Sequence, residues 1–384
     1  MAGPTIAFLW SHFAMYHMDR LEALAEALDG RASVLGLEVA NASETYAWGD
    51  SGAGTRFAKV TLFPGAVADR IPQLRRARAI VAAARKRHVT HLFVSGYERP
   101  GYLLAALALR LMGKRVYVML DSKFDDKPRR LSLELVKRAM MLPYHGGFAA
   151  GPRAADYLRF LGLRRRPVTT GYDSVGLSRL RTLAPARHRA WESAEFLAVA
   201  RFVEKKNLSL ALAAYARFRA ASPDSPRRLH LCGGGALEPQ LRAEAAALGI
   251  ADQVRFTGFA SQADVAGFMA EALCLLLPSR EEQWGLVVNE ALAHALPLLV
   301  SENVGARDTL VRNLENGFVL DADAVDGWAL AMQLLAGDRD LWQRMHAAAA
   351  ARAPLADTRA FVDGVTGLIQ LPARLRDPQM AKAD

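Results

Sequence analysis

Two carboxylates, Glu282 and Glu290, bracket a junction of strand, loop and helix, with seven residues between them. The apolar run Ala272–Leu277 reads as a buried strand that stops at Pro278. A polar loop follows, and from about Gly285 apolar residues recur at helical spacing. One carboxylate therefore sits in the loop and the other about a turn into the helix. The first turn of a helix leaves backbone N–H groups without intrahelical partners and carries partial positive charge, which suits an anion. A carboxylate accepts several donors at once, which suits sugar hydroxyls. Amides for a phosphate beside carboxylates for hydroxyls match the chemistry of a nucleotide sugar. Glu281 neighbours the pair, but Glu282 has the spacing.

The elements that must position these groups recur along the chain. Strands are predicted at 5–10, 33–39, 57–62, 91–95, 115–120 and 147–150, then at 195–199, 229–231, 254–256, 272–277 and 297–300. Helical patterns such as 18–28 and 74–87 lie between them. This rhythm predicts parallel sheets covered by helices on both faces. At 384 residues the chain has room for two such domains, each with its own core. The polar, Arg-rich stretch after Tyr172 is the expected boundary. The expected organisation is an N-terminal domain over 1–172, a linker over 173–194, a C-terminal domain over 195–355 and a closing helix within 356–377.

Hydrophobic content of 52% and charged content of 23% describe a soluble globular chain. No apolar run approaches the ~20 residues of a bilayer span. Thr5–Trp10 lacks a basic flank and reads as a first strand rather than a signal peptide. Cys232 and Cys274 lie in apolar runs and supply neither a disulfide framework nor metal spacing, so a reducing cytoplasm is expected.

The segment Pro278-Ser279-Arg280-Glu281-Glu282-Gln283-Trp284-Gly285-Leu286-Val287-Val288-Asn289-Glu290-Ala291-Leu292-Ala293 resembles the Glu-x7-Glu signature of family 4 retaining glycosyltransferases, which have the GT-B fold. Leu296-Pro297-Leu298-Leu299-Val300 downstream fits the same family. So does Ala200-Arg201-Phe202-Val203-Glu204-Lys205-Lys206-Asn207, which resembles its Gly-Arg-Leu-x-x-x-Lys-Gly element, with Asn207 in place of the usual Gly. The resemblance implies two doubly wound domains facing across a cleft, with the last helix crossing back to the first domain. It implies that Arg201 and Lys206 neutralise the donor diphosphate and the charge on the leaving group. Glu290 would accept hydrogen bonds from ribose hydroxyls. Glu282 would either orient sugar hydroxyls or stabilise positive charge at the anomeric carbon. Gly233 and Gly235, in the turn after a strand, would lie near the nucleotide. The 254–259 stretch would wall the base, and backbone around Trp284, Gly285 and Leu286 would face sugar or phosphate. Asp321-Ala322-Asp323 has the form of a metal motif from another glycosyltransferase fold, but here it falls where this family has a solvated loop. No metal or other cofactor is expected, because Arg, Lys and a helix end already supply positive charge.

The N-terminal half departs from the family. Where relatives have a Gly-rich loop after the first strand, this chain reads Trp10-Ser11-His12-Phe13-Ala14-Met15-Tyr16-His17, without glycine. Ser11, His12 and Tyr16 are the candidates to donate side-chain hydrogen bonds on the acceptor side; a lone His is more often structural, but His12 follows the first strand at its carboxyl end. Gly96–Gly101 and Thr170–Asp173 are further loops at strand ends. Residues 1–170 hold 26 Lys/Arg against 14 Asp/Glu, and the remainder holds 23 against 25. The basic half points to an anionic partner such as a lipid surface or a lipid-linked phosphate. Residues 126–141 read as a basic amphipathic helix that either lies on an anionic membrane or packs its apolar face on the sheet. Arg164-Arg165-Arg166 adds charge.

These features predict a cytoplasmic, metal-independent enzyme that is either free or peripheral on the inner face of the membrane. It would move a hexose from a nucleoside diphosphate sugar to a hydroxyl of a glycan or lipid-linked acceptor, as in polysaccharide assembly. A sugar-nucleotide epimerase or hydrolase on the same fold is the nearest alternative. A nucleic-acid-binding protein is the more distant one, as no helix-turn-helix, zinc or RNA-recognition signature is present.

Overall fold

Strands such as Ala272–Leu277 (Ala-Leu-Cys-Leu-Leu-Leu) are apolar at every position and buried along their whole length. Such strands need helices on both faces, and the sheets they form are parallel throughout. The computed structural model describes residues 3–42, 51–184 and 191–371. The chain divides into two units: Met1–Phe124, Pro128–Ser174 and Thr358–Asp384 form the first, and Asp125–Lys127 with Val175–Asp357 the second.

The first unit runs β1 (Thr5–Trp10), α1 (Met15–Leu28), β2 (Ser33–Glu38), β3 (Ala58–Thr61), α2 (Gln73–Lys86), β4 (Val89–Ser95), α3 (Pro100–Leu111), β5 (Arg115–Leu120), α4 (Leu131–Met140), β6 (Gly146–Ala149), α5 (Pro152–Leu158) and β7 (Val168–Thr170). Its strand order is β3-β2-β1-β4-β5-β6-β7. One core lies under α2, α3 and α5, with Ile80, Tyr102, Leu109 and Leu158 fully buried. The other lies under α1.

The second unit runs α6 (Leu177–Leu183), β8 (Glu195–Val199), α7 (Leu208–Ala221), β9 (Leu229–Cys232), α8 (Glu238–Ala247), β10 (Val254–Gly258), α9 (Gln262–Glu271), β11 (Ala272–Leu277), α10 (Leu286–Ala293), β12 (Leu298–Ser301), α11 (Arg307–Leu310), β13 (Gly317–Leu320), α12 (Val325–Gly337) and α13 (Arg339–Arg352). Its order is β10-β9-β8-β11-β12-β13. Local chemistry sets several helix starts. Ser261 caps α9 by accepting the Asp264 amide at 3.1 Å, and Asp338 caps α13 by accepting the Leu341 amide at 2.8 Å.

The last helix, α14 (Thr358–Ile369), belongs to the first unit. Phe361, Val362, Val365 and Leu368 join Phe8, Phe93 and Phe148 in the core beneath α1. The part of the predicted closing segment beyond residue 371 lies outside the described residues.

Three expectations need correction. The segment 173–194 is more than a linker: residues 177–183 form α6, held in the second unit by buried Leu177 and Leu180. β7 and β13 are not among the predicted strands. Helix α4 does not pack an apolar face on the sheet; its one buried residue is Glu134.

Candidate active site

In an open parallel sheet, loops at the carboxyl ends of the strands form a crevice where the strand order reverses. In the second unit that reversal falls between β8 and β11. The loop after β8 carries Arg201 and Lys206, and the loop after β11 carries Glu282. The fold thus brings together residues 76 positions apart: Lys206 Nζ donates to Glu282 Oε2. Both side chains are largely buried. Ser279 Oγ donates to the same carboxylate oxygen at 3.1 Å. The Gly305 amide donates to the Glu282 carbonyl at 3.1 Å, so the loop after β12 fixes the backbone that carries the carboxylate.

Asn207, in the position where the resembling family has Gly, adopts a left-handed conformation (φ 54°, ψ 39°) at the start of α7. Asn tolerates that region better than most residues. Its buried side-chain amide donates to Pro278 O at 3.1 Å and Ala322 O at 2.8 Å, tying together the loops after β8, β11 and β13. Glycine could adopt the backbone but could not make these bonds.

Gly285 precedes α10 with φ +100°, and no side chain caps this helix start. Glu290 is the fifth residue of α10 and is half-buried. Burial raises its carboxyl to about 7, against a smaller opposing pull from Arg179 on α6. A group so raised waits for donors that would stabilise its charged form. Trp284 points inward instead. Its indole is buried and donates to Asn289 Oδ1 at 2.9 Å, and its carbonyl accepts the Ala306 amide at 2.9 Å. Trp284 therefore positions the loop that leads into α10.

Gly233 (φ +132°) and Gly235 (φ +154°) have a structural reason to be glycine. A Cβ on Gly233 would strike Ala200 O, and one on Gly235 would meet Phe202 O at 2.5 Å. The turn after β9 is thus pressed against the loop carrying Arg201, whose side chain is exposed. Phe259, just past β10, is 79% exposed, and its ring lies 2.9 Å from where a Gly234 Cβ would sit. Asp321 and Asp323 serve the loop: Asp321 Oδ1 accepts the Asp323 amide at 2.7 Å, and Asp323 pairs with Arg280 at 2.8 Å. Among the described residues no cluster of three or more His, Cys, Asp or Glu side chains could hold a metal.

The first unit reverses order between β1 and β4, and its loop after β1 is arranged differently. His12 is 3% exposed, with Nδ1 at 3.3 Å from Ala40 O and 3.4 Å from Glu38 Oε1. Two acceptors at that distance place the proton on Nδ1, so this ring nitrogen faces the unit's own interior rather than an acceptor. Glu38 Oε1 accepts the Phe13 amide at 2.8 Å, and Oε2 accepts Thr61 Oγ1 at 2.7 Å. His17 Nδ1 accepts the Ala14 amide at 2.9 Å. Burial, then the nearby Arg20 and His12, hold His17 well below its ordinary pKa, so it remains neutral. Two amides of this loop, those of Phe13 and Ala14, are therefore occupied by the chain's own side chains. Ser11 and Tyr16 are half-buried, and the Arg20 guanidinium sits 4.8 Å from the Tyr16 ring centre. Neither Glu38 nor His17 is marked by the motifs. A carboxylate inside the apolar run 33–39 is the signal that was there to read, since a buried charge demands partners.

The comparisons follow this geometry. Sucrose-phosphate synthase from Thermosynechococcus elongatus superposes with a TM-score of 0.73 at 17% identity, covering 99% of this chain and 100% of that one. HepE from Anabaena, solved with UDP, superposes with a TM-score of 0.70 at 16% identity, covering 96% and 99%. The fold is GT-B. Within it, residues 185–352 match the family model described as "Glycosyl transferases group 1", a span that holds every switch-point residue of the second unit named above. A D-inositol 3-phosphate glycosyltransferase from Streptomyces griseus is 38% identical over 122 residues, 32% of this chain and 26% of the relative. The lipopolysaccharide core biosynthesis glycosyltransferase LpsE of Rhizobium meliloti is 29% identical over 254 residues, 65% of this chain and 69% of the relative. The chain spans about a quarter to a third of the length of the first curated relatives it matches.

Proposed function

We propose that the chain is a retaining glycosyltransferase that moves a hexose from a nucleoside diphosphate sugar to a hydroxyl acceptor in glycan or lipid-linked glycan assembly. The observation that carries this reading is the contact of Lys206 with Glu282 at the β8/β11 reversal, with Glu290 one turn into the helix that follows. The group 1 match over 185–352 supports it, as do relatives named for glycosyl transfer to inositol phosphate and for lipopolysaccharide core synthesis.

In this reading Arg201, Lys206 and the first amides of α10 hold the diphosphate. Glu290 accepts hydrogen bonds from the ribose, and the exposed Phe259 ring offers a platform for the base. The bond between the anomeric carbon and the β-phosphate oxygen breaks, and its electron pair stays on that oxygen, where Lys206 and Arg201 stabilise the charge. Glu282 lies beside the sugar and stabilises positive charge at the anomeric carbon as it builds. The acceptor oxygen bonds to that carbon on the face the phosphate leaves, and its proton passes to a donor phosphate oxygen. These cations leave no step that needs a metal; full activity in EDTA is the expected outcome.

The test begins with a panel of UDP-, GDP- and ADP-sugars, read by thermal stabilisation, since a ligand bound to the folded state raises its melting temperature. Proton NMR of the product made from the stabilising donor then reports the anomeric configuration. Retention supports the reading and inversion overturns it. Donor turnover at full rate without any acceptor would favour the epimerase or hydrolase alternative.

A further inference from the structure

Helix α4 is turned inside out for a helix surrounded by water. Its carboxylate faces the protein, and its apolar residues face out. Glu134 is 4% exposed, while Leu131, Leu133, Leu135 and Val136 are 72%, 54%, 58% and 53% exposed. The inversion is anchored from beneath. Glu134 accepts from Tyr157 Oη and from Lys137 Nζ, each at 2.7 Å, with Arg129 at 3.8 Å. Arg129 also donates to Phe124 O at 2.7 Å and to Tyr157 Oη at 3.1 Å. A buried carboxylate stripped of these donors would be costly, so the network holds the leucines outward.

The charge around this face is mostly basic. Arg130 and Arg138 flank the leucines and are exposed, as are Arg164 and Arg165 beyond α5. Of the exposed acids, Asp156 is paired with Arg159 at 2.8 Å, and Asp125 stands before α4, followed by Lys127, Arg129 and Arg130. Helix α3 also carries exposed apolar side chains, Leu107 and Leu111 at 44% and 80%, while Leu104 lines a groove against α2. Neither α2 nor α3 contains an acidic residue. Arg110 Nη1 on α3 donates to Pro143 O at 3.1 Å, joining α3 to the segment after α4.

From this arrangement we infer that the outward face of α4 is a docking surface for an anionic lipid bilayer, with α4 lying in the headgroup layer and its leucines entering the acyl boundary. Apolar side chains ringed by arginines match a surface that is negative at the headgroups and apolar beneath them. Nucleic acid would use the arginines but gives the leucines nothing to enter. The inference extends beyond the donor chemistry and stands whether or not that reading holds.

The test uses the full chain without donor or acceptor. Sedimentation is compared with vesicles of pure phosphatidylcholine and with vesicles containing phosphatidylglycerol at roughly one part in three. Binding is expected to the anionic vesicles alone. Arg130→Glu with Arg138→Glu should weaken it by about 25-fold or more, at about fivefold for each basic residue near the surface. Leu131→Gln with Leu135→Gln should weaken it comparably while preserving the charge. These side chains are exposed, so both variants are expected to melt as the parent does. An environment-sensitive fluorophore on Leu135→Cys should shift to the blue with anionic vesicles. Equal sedimentation with both vesicle types, or none with either, would overturn the inference. So would a dimer in vesicle-free solution that Leu131→Gln with Leu135→Gln returns to monomer, since a second copy would then cover this face.

Discussion

The two sheets reverse strand order once each, between β1 and β4 in the first unit and between β8 and β11 in the second. The loops there differ in what already fills them. After β1, the Phe13 amide is taken by Glu38 and the Ala14 amide by His17, so the loop leading into α1 is tied to the unit's own side chains. After β11, Glu290 is raised to about 7 by burial, and Lys206 with Glu282 forms a cation–carboxylate pair. The same topology offers a crevice in both places. Side chains decide whether the crevice is closed on itself or left with donors and acceptors for a ligand.

This contrast can be broken most forcefully at its charged pair. Lys206→Ala and Glu282→Ala should each lower kcat by about 100- to 1000-fold, the usual effect of removing one group that stabilises transition-state charge. Melting temperature checks that folding survives. A loss of a few fold, measured as initial rate with the donor found above, would break the contrast.

Glu38→Gln sharpens the opposite side. Weakening charge-assisted bonds to Phe13 and Thr61 should cost about 2 kcal/mol in urea unfolding, with donor affinity unchanged. A loss of donor affinity at intact stability would move the phosphate site to the first unit.

The pH dependence is smaller and has a definite sign. The folded chain holds the Glu290 proton more tightly than the unfolded chain, since burial raises the group from 4.5 to about 7. Its contribution to stability is present below the lower value and is lost as pH rises to the higher one. Donor affinity should run the other way, several-fold weaker at a pH one unit below the folded value than one unit above. Titration calorimetry across that window should find the dependence flattened in Glu290→Gln.

The smallest effect is expected at Asn207. Asn207→Gly keeps the left-handed backbone but loses two buried bonds, and Asn207→Ala loses both the bonds and the conformational tolerance. Alanine should destabilise by about 1 kcal/mol more than glycine. Equal melting temperatures would show that the conformation carries no cost there.

Much of this organisation was legible in the residues. The apolar runs at β1, β5, β8 and β11 mark their strands because burial on both faces demands apolar side chains throughout. β7 and β13 escaped because they are short edge strands, only partly buried. Spacing told where Glu282 and Glu290 stand, but not that Lys206 meets Glu282, which depends on β8 and β11 being neighbours. Gly233 and Gly235 looked like ligand-facing glycines, whereas their close contact is with the backbone after β8. Helix α4 misled most. Amphipathic periodicity shows that a helix has two faces, not which one turns inward, and here a buried carboxylate network made the choice.

The β8/β11 reversal is the proposed donor site. Calorimetric affinity for the stabilising nucleotide sugar, measured on the parent, Glu290→Gln and Tyr16→Phe, tests it most directly. The account predicts binding at least about tenfold weaker in Glu290→Gln, the scale of a lost pair of hydrogen bonds to a charged group, and unchanged in Tyr16→Phe. Unchanged affinity in Glu290→Gln, or a loss confined to Tyr16→Phe, would contradict it.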